Sequence, residues 1–251
     1  MDDAAVGAGR RSPSTQWRPA PSGAGGPIRS RPERTLPFDH SIDDLAGLRR
    51  LYADPHATVI DKVVDHVDEG ARGFIAMAPF VMVATAGPTG TDASPRGGPP
   101  GFVAVLDDRR LAIGDLAGNR RLDSFANILA NPSVGLLFLI PGMAETLRIN
   151  GRATLTTDPA VLDACAFPGT QPRLALGIDV DEVFLHCAKA LRRSGLWDPA
   201  SWPEAAARPS PGAIWRNHLH LDVAAELIEA DLEVGYAESM WEAGGEDAPA
   251  R

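Results

Sequence analysis

The clearest hydrophobic pattern in the chain is a two-residue alternation over residues 146–156. Apolar or small residues occupy every second position from Leu147 to Leu155, and the polar positions between them include Arg148 and Arg152. Alternation with this period places the two sets of side chains on opposite faces of a β-strand. The pattern therefore predicts a strand with one buried face and one face that carries two arginines.

Five further segments have the composition of strands, and turn residues separate them. They are residues 80–86, 102–106, 111–113, 134–140 and 180–186. A single helical pattern interrupts the series, between the third and fourth strands. We therefore predict a mainly β fold with flanking helices, built as an antiparallel barrel and not as a parallel doubly wound sheet.

Helical spacing appears on both sides of the strands. A short helix is predicted near residues 43–53, a second over 60–67, and a third over 222–240, where apolar residues form one stripe. Residues 1–37 are rich in Gly, Pro, Ser, Ala and Arg, with few spaced apolar positions. This composition predicts a disordered N-terminal arm.

The charge balance narrows the classes of partner. Lys and Arg number 24 against 33 Asp and Glu, which gives a net charge of -9. DNA, RNA and anionic membranes attract basic surfaces, so we expect no nucleic-acid or membrane partner. The 2 cysteines cannot form a disulfide framework, and the chain opens with no secretory leader pattern. We expect a cytoplasmic protein.

A basic turn at Gly118–Arg121 is the strongest chemical signal. It lies between a strand and a helical pattern, so Arg120 and Arg121 are predicted on the first turn of a helix. Free backbone N–H groups and the helix dipole favour an anion there, and a phosphate suits both arginines. Alternatively, the arginines extend into solvent or pair with Asp115 and Asp123.

Two other segments have a functional and a structural interpretation. Lys189, Arg192 and Arg193 would share one helical face, where an anion or a solvated surface relieves their repulsion. Residues 94–101 contain three glycines and three prolines, which suit either close approach to a planar ligand or a rigid surface turn.

No residue is identified as catalytic, and no metal site is predicted. His186 and Cys187 lack a second pair at metal-ligand spacing, so we expect both to pack in or near the core.

Taken in order, these pieces resemble the pyridoxamine 5′-phosphate oxidase-like flavoproteins, the FMN-binding split-barrel superfamily. The resemblance covers about residues 40 to 200. It is carried by the following stretches: Ser94–Gly97, Pro100–Phe102, Gly118–Arg121, Asn127–Pro132, Leu136–Gly142, Glu145–Ala153 and His186–Pro199.

The resemblance implies a six-stranded antiparallel split barrel over residues 38–200, which forms a homodimer with FMN in a groove between the subunits. Residues 201–251 would then form a loop and helix that pack on the barrel or on the dimer. The cofactor-binding residues that it implies are Arg96, Gly97, Asp115, Asn119, Arg120, Arg121, Thr146, Arg148, Lys189, Arg192, Ser194 and Trp197.

These residues fall into groups with different implied roles. Arg96, Arg120 and Arg121 would hold the flavin phosphate and its surroundings, and Asp115 and Asn119 would line the same pocket. Thr146 and Arg148 would lie beside the flavin ring. The segment from Lys189 to Trp197 would close over the ring, from a subunit that varies within the superfamily.

The implied function is that of an FMN-dependent oxidoreductase acting on a small molecule. The alternative is a non-catalytic or carrier-type binding protein for flavin, F420 or haem, because one fold serves several functions. Two departures from the family pattern lie near the implied ring pocket. Gly98 stands where a carboxylate is expected, and Leu116 stands where a cation is expected.

Overall fold

The computed structural model describes residues 38–88 and 90–245. The predicted arm at residues 1–37 lies outside the described residues, as does Thr89 in the first hairpin turn. The strands are β1 Phe80–Gly87, β2 Gly90–Gly97, β3 Val103–Val105, β4 Arg110–Gly114, β5 Ser133–Leu139, β6 Thr146–Thr156 and β7 Ala175–His186.

All seven strands form one sheet in the order β2-β1-β5-β6-β7-β4-β3, and every neighbouring pair is antiparallel. Buried apolar side chains from six of them meet in a single cluster, among them Val81, Val103, Ile113, Phe138 and Ile149. The sheet therefore curls around a common core. This confirms the predicted antiparallel split-barrel architecture with flanking helices.

The sheet has one strand more than the six predicted. The additional strand, β2, pairs only with β1 and lies at the edge of the sheet. Its sequence contains Pro95 and Gly97 and shows no apolar alternation, so the hydrophobic pattern gives no signal of a strand there. Proline is tolerated there because an edge strand need not use every N–H group.

Eight α-helices flank the sheet within the described residues. They are α1 Leu45–Leu51, α2 Ala57–Asp61, α3 Glu69–Met77, α4 Asp123–Ala130, α5 Pro159–Ala164, α6 Lys189–Ser194, α7 Pro211–Leu219 and α8 Ala225–Ser239.

The predicted helix over residues 60–67 is wrong beyond Asp61. The backbone N–H of Val64 donates to the carbonyl of Val183, and the Val183 N–H donates back to Val64, at 3.0 and 2.7 Å. The chain is therefore paired with β7 at this point. The β-branched side chains of Val63 and Val64 suit extended backbone.

Helix α4 is held against the sheet by a buried polar contact. The side-chain amide of Asn127 donates to the hydroxyl of Thr85 on β1 at 3.1 Å, and both residues are buried. A Cβ atom at Gly87 would collide with the Asn127 side chain. These contacts hold α4 against β1, the strand that pairs with β2 beside the candidate site.

The C-terminal helices α7 and α8 pack on each other. Glu229 of α8 accepts hydrogen bonds from the Ser210 hydroxyl and the Gly212 backbone N–H at the start of α7, at 2.5 and 3.1 Å. Among residues 38–88 and 90–245, no helix is long and apolar enough to cross a membrane.

Candidate functional site

A cleft of about 400 Å³ lies where β2, the loop after β4 and the start of α4 meet. Clefts of roughly 300–1,000 Å³ are typical of small-molecule sites. The lining residues are Asp92, Ser94, Pro95, Arg96, Gly97, Phe102, Gly114, Asp115, Leu116, Ala117, Gly118, Asn119, Arg120, Leu122, Asp123, Ser124, Phe125, Met240 and Gly245.

The loop before α4 corrects one prediction from the sequence. Helix α4 begins at Asp123, so Arg120 and Arg121 precede the helix instead of forming its first turn. Arg120 and Leu122 adopt left-handed backbone, with φ of 58° and 59°. Left-handed backbone is uncommon for residues other than glycine, and such conformations cluster at functional sites. The turn is supported by Asn119, whose side-chain oxygen accepts from the Arg121 N–H at 3.1 Å.

Two cations from separate parts of the chain meet in the cleft. Arg96 lies on β2, and Arg120 lies on the loop before α4. The Arg96 guanidinium donates to the Ser94 hydroxyl at 2.6 Å and to the Pro95 carbonyl at 3.0 Å. These bonds hold the Arg96 head group at the cleft, where it can act as a fixed donor to an anion.

Three carboxylates also line the cleft. Asp92 accepts a hydrogen bond from the Ser124 hydroxyl at 2.5 Å. Burial raises the pKa of Asp115, and the positive charge of Arg96 opposes that rise. The third carboxylate, Asp123, pairs with Arg121. An anion in the cleft would therefore depend on the placement of Arg96 and Arg120, because the lining as a whole is not basic.

Arg121 does not line the cleft. Its guanidinium pairs with Asp123, with Nε and Oδ2 2.7 Å apart, and its side chain is 72% exposed. This is the alternative that the sequence left open for the basic turn. The structure thus separates the two neighbouring arginines: Arg120 lines the cleft, and Arg121 is exposed outside it.

A second group of sequence-predicted residues lies elsewhere in the same chain. It consists of Thr146, Arg148, Lys189, Arg192, Ser194 and Trp197, and we call it the β6–α6 surface. None of the six lines the cleft.

The β6 part of this surface surrounds one aromatic ring. The Arg148 guanidinium lies 5.5 Å from the centre of the Phe184 ring, and the Lys62 ammonium lies 5.7 Å from it. Arg148 also donates to the side-chain oxygen of Asn150 at 3.2 Å. Thr146 is buried and pairs with His186 across β6 and β7.

The α6 part is joined to the β5–β6 connection by one tryptophan. The Trp197 indole N–H donates to the carbonyl of Met143 at 2.8 Å. Lys189 and Arg192 are exposed on α6, and the Ser194 hydroxyl donates to the carbonyl of Leu191 at 3.1 Å. The predicted helix is confirmed, and its cations face solvent.

The prediction that His186 and Cys187 pack in or near the core is wrong. Both residues are exposed where β7 ends and the chain turns toward α6. No group of His, Cys, Asp and Glu residues in the described ranges could hold a metal ion.

The structure brings together Arg96, Gly97, Asp115, Asn119 and Arg120 from the predicted set. It adds lining residues that the sequence did not indicate, namely Asp92, Ser124, Met240 and Gly245. Asp92 lies on the missed strand β2. Met240 and Gly245 are distant in sequence, and no motif marks them.

The two departures from the family pattern have different surroundings. A Cβ atom at Gly98 would lie 2.6 Å from the Cβ of Phe102, so a carboxylate residue would require Phe102 to move. Leu116 lines the cleft and adds an apolar side chain there.

Residues 67–187 match the family model described as pyridoxamine 5′-phosphate oxidase. No curated protein matches the chain.

Several solved structures are similar over part of the chain. HupZ from Group A Streptococcus is 20% identical, covering 47% of this chain and 92% of that one, with a TM-score of 0.39. General stress protein 26 from Bacillus anthracis is 14% identical, with coverages of 45% and 88% and a TM-score of 0.35. An FMN-binding protein from Syntrophomonas wolfei is 10% identical, with coverages of 47% and 85% and a TM-score of 0.38.

The family match contains strands β1 to β7, and the curled antiparallel sheet has the architecture of that family. Residues 67–187 therefore match the pyridoxamine 5′-phosphate oxidase family, and the sheet that they form has its antiparallel split-barrel architecture.

Proposed function

We propose that the cleft binds FMN and that the protein is an FMN-dependent oxidoreductase acting on a small molecule. The observation that supports this most directly is the meeting of Arg96 and Arg120 in one cleft beside the start of α4. Two guanidinium groups and backbone N–H groups at a helix start suit the oxygens of a phosphate monoester.

The residues of the cleft fit a flavin mononucleotide in two respects. Arg96 and Arg120 would hold the phosphate, and Phe102, Leu116 and Phe125 supply apolar surface for a planar ring. When bound, FMN supplies hydride or electron transfer through its isoalloxazine ring. The protein's own contribution is to bind the cofactor, to orient it and to limit the access of water.

We further propose that the site is completed in a homodimer. The β6–α6 surface does not reach the cleft within one chain, yet it carries three further cations and a tryptophan. In a dimer, this surface of one subunit would face the cleft of the other. Arg148 would then lie beside the flavin ring, where its fixed positive charge would stabilise negative charge on the cofactor.

Binding without turnover is the second candidate function. The titratable side chains of the described lining are carboxylates and arginines. Asp92 is hydrogen-bonded to Ser124, Asp123 is paired with Arg121, and Asp115 lies within Coulombic range of Arg96. A lining without a histidine, lysine or cysteine offers few groups for proton transfer near neutral pH. A carrier for flavin, F420 or haem would need none.

The absorption spectrum of the purified protein separates these candidates. Flavin, F420 and haem have different visible bands, which the chromophores themselves determine. We expect a flavin spectrum, either as purified or after addition of FMN. A colourless protein that takes up no added FMN would exclude the proposal, whereas a haem or F420 spectrum would support the carrier alternative.

Turnover is tested separately on the FMN-loaded protein. Reduction by a nicotinamide donor, followed by reoxidation with oxygen or a small electron acceptor, is expected for an oxidoreductase. Stable flavin binding without either reaction would favour the carrier.

A further inference from the structure

One wall of the cleft comes from a part of the chain outside the family match. The match ends at residue 187, whereas Met240 and Gly245 line the cleft. They belong to the segment that follows α8, which we call the C-terminal segment, residues 240–245.

The C-terminal segment is paired with the loop after β4. The Ala117 N–H donates to the carbonyl of Glu242 at 2.9 Å, and the Gly244 N–H donates to the carbonyl of Asp115 at 3.0 Å. Leu116 and Ala243 form an antiparallel bridge between these two bonds. The same loop continues to Asn119 and Arg120, so the segment supports the backbone that carries the cleft's second cation.

A tryptophan anchors the middle of the segment. The Trp241 ring meets the Phe167 ring edge-on, with their centres 5.8 Å apart. The Trp241 carbonyl accepts a hydrogen bond from the hydroxyl of Thr170 at 2.7 Å. Phe167 and Thr170 lie between α5 and β7, so the segment is fixed on both of its sides.

The closest approach is between Gly244 and Asp115. A Cβ atom at Gly244 would collide with the Asp115 carboxylate, and it would lie 3.2 Å from the carbonyl oxygen of Leu116. A larger residue at this position would therefore require the Asp115 carboxylate to move and the segment to shift away from Leu116. Asp115 is also the carboxylate that lies within Coulombic range of Arg96.

We infer that the C-terminal segment is a ligand-retaining wall of the cleft, added by this chain to the family fold. It rests on the proposed function, since the ligand it retains is FMN. The segment acts in two ways: Met240 and Gly245 contact the ligand directly, and the pairing with residues 115–117 holds the loop that presents Arg120. Displacing the segment exposes the bound ligand to water and loosens one of its two cationic contacts.

The variant Gly244→Val is expected to displace the segment, because its side chain would collide with the Asp115 carboxylate and crowd the carbonyl of Leu116. The control is Gly235→Val, which adds the same side chain to α8 at a position with open space around it. A second variant, Trp241→Ala, removes the anchor without adding bulk. The affinity for FMN is measured by fluorescence titration, and the dissociation rate by dilution of the loaded protein.

We expect Gly244→Val and Trp241→Ala each to weaken FMN binding about tenfold or more, mainly through faster dissociation. Gly235→Val should bind as the unaltered protein does. Unchanged or tighter binding in both segment variants would overturn the inference and leave the proposed function standing. If the unaltered protein binds no FMN, the proposed function fails, and the inference fails with it.

Discussion

The two cysteines differ in environment in a way that predicts their reactivity. Cys165 is buried beside Gly114, and burial raises the pKa of its thiol to about 11. Cys187 is exposed after β7. Because the thiolate is the reactive form, a buried thiol with a raised pKa reacts slowly. We expect a disulfide reagent at neutral pH to modify one thiol quickly in the folded protein and both after unfolding.

The variants Cys187→Ser and Cys165→Ser identify the fast thiol. Cys187→Ser should abolish the fast phase, and Cys165→Ser should leave it intact. A fast reaction that persists in folded Cys187→Ser would show that Cys165 is accessible, contrary to the structure.

Single residues also show where sequence reasoning about the site reached its limit. The basic turn indicated an anion site, and the structure brings Arg96 to the same cleft as Arg120. It does not bring Arg121, whose guanidinium pairs with Asp123 outside the cleft, and the loop that carries both arginines has left-handed backbone at Arg120 and Leu122. Left-handed backbone is usually indicated in a sequence by glycine, and neither of these two positions is a glycine. The pairing of Arg121 with Asp123 was foreseen only as an alternative.

At the level of elements, the β-bulge, where β7 carries the extra residue Asp181, brings one glycine of β6 against the facing backbone. The register between β6 and β7 shifts between Asn150 and Gly151, and a Cβ atom at Gly151 would collide with the carbonyl oxygen of Asp179. We expect Gly151→Ala to lower the free energy of unfolding by about 1–3 kcal/mol, as overpacking of a core does. Urea unfolding measures this through the transition midpoint.

Gly177→Ala, on the facing strand β7, is the matched control. A Cβ atom there would make only ordinary contacts, at 3.8 and 3.9 Å. The stability of this variant should stay within about 0.5 kcal/mol or rise slightly. Equal losses of unfolding free energy in the two variants would mean that the close contact between Gly151 and Asp179 does not cause the destabilisation.

The segment before α3 is linked to the β3–β4 hairpin by an ion pair that depends on pH. The Arg109 guanidinium lies 2.7 Å from the Asp65 carboxylate, and this bond, with a smaller contribution from His66, lowers the pKa of Asp65 to about 2. A carboxyl whose pKa is lower in the folded state stabilises the fold above its unfolded value, near 3.8. That contribution is lost as the pH falls from there toward 2.

We therefore expect Asp65→Asn to lower the melting temperature above pH 3.8 and to have a smaller effect near pH 2. Asp181→Asn, at an exposed position on β7, serves as the control. A difference between Asp65→Asn and the unaltered protein that stays constant over this range would contradict the assigned pair.

The elements also show which parts of the fold the sequence could predict. Strand β6 has the bounds that its alternation predicted, because one face lies on the core and the other does not. Strand β2 was missed because it forms through backbone pairing with β1, and its side chains show no strand pattern. Helix α3 was not predicted, because Gly70 and Gly73 lower its helix propensity and interrupt its apolar pattern. In the structure this helix contacts β3.

At the scale of the whole molecule, the proposed dimer makes a prediction about mixed subunits. Arg96→Ala and Arg148→Ala should each weaken FMN binding alone, because one residue belongs to the cleft and the other to the β6–α6 surface. If each site combines the cleft of one subunit with that surface of the other, mixing the two variants restores some sites. Random pairing at equal concentrations should make about a quarter of all sites intact.

Counting high-affinity FMN sites after unfolding and refolding the mixture measures this restoration. No intact sites in the mixture would place both arginines in a site within one subunit. Full binding by Arg148→Ala alone would remove the β6–α6 surface from the site altogether.

The central claim is that the cleft binds a flavin through its phosphate, and it is tested by comparing FMN with riboflavin, which lacks the phosphate. In the unaltered protein, FMN should bind more tightly than riboflavin. Arg96→Ala should weaken the binding of FMN by about 1.5–3 kcal/mol, as expected for the loss of a hydrogen bond to a charged group. The binding of riboflavin should stay nearly unchanged. Arg121→Ala, outside the cleft, should affect neither ligand. Equal losses for FMN and riboflavin in Arg96→Ala, or no preference for FMN in the unaltered protein, would contradict the account.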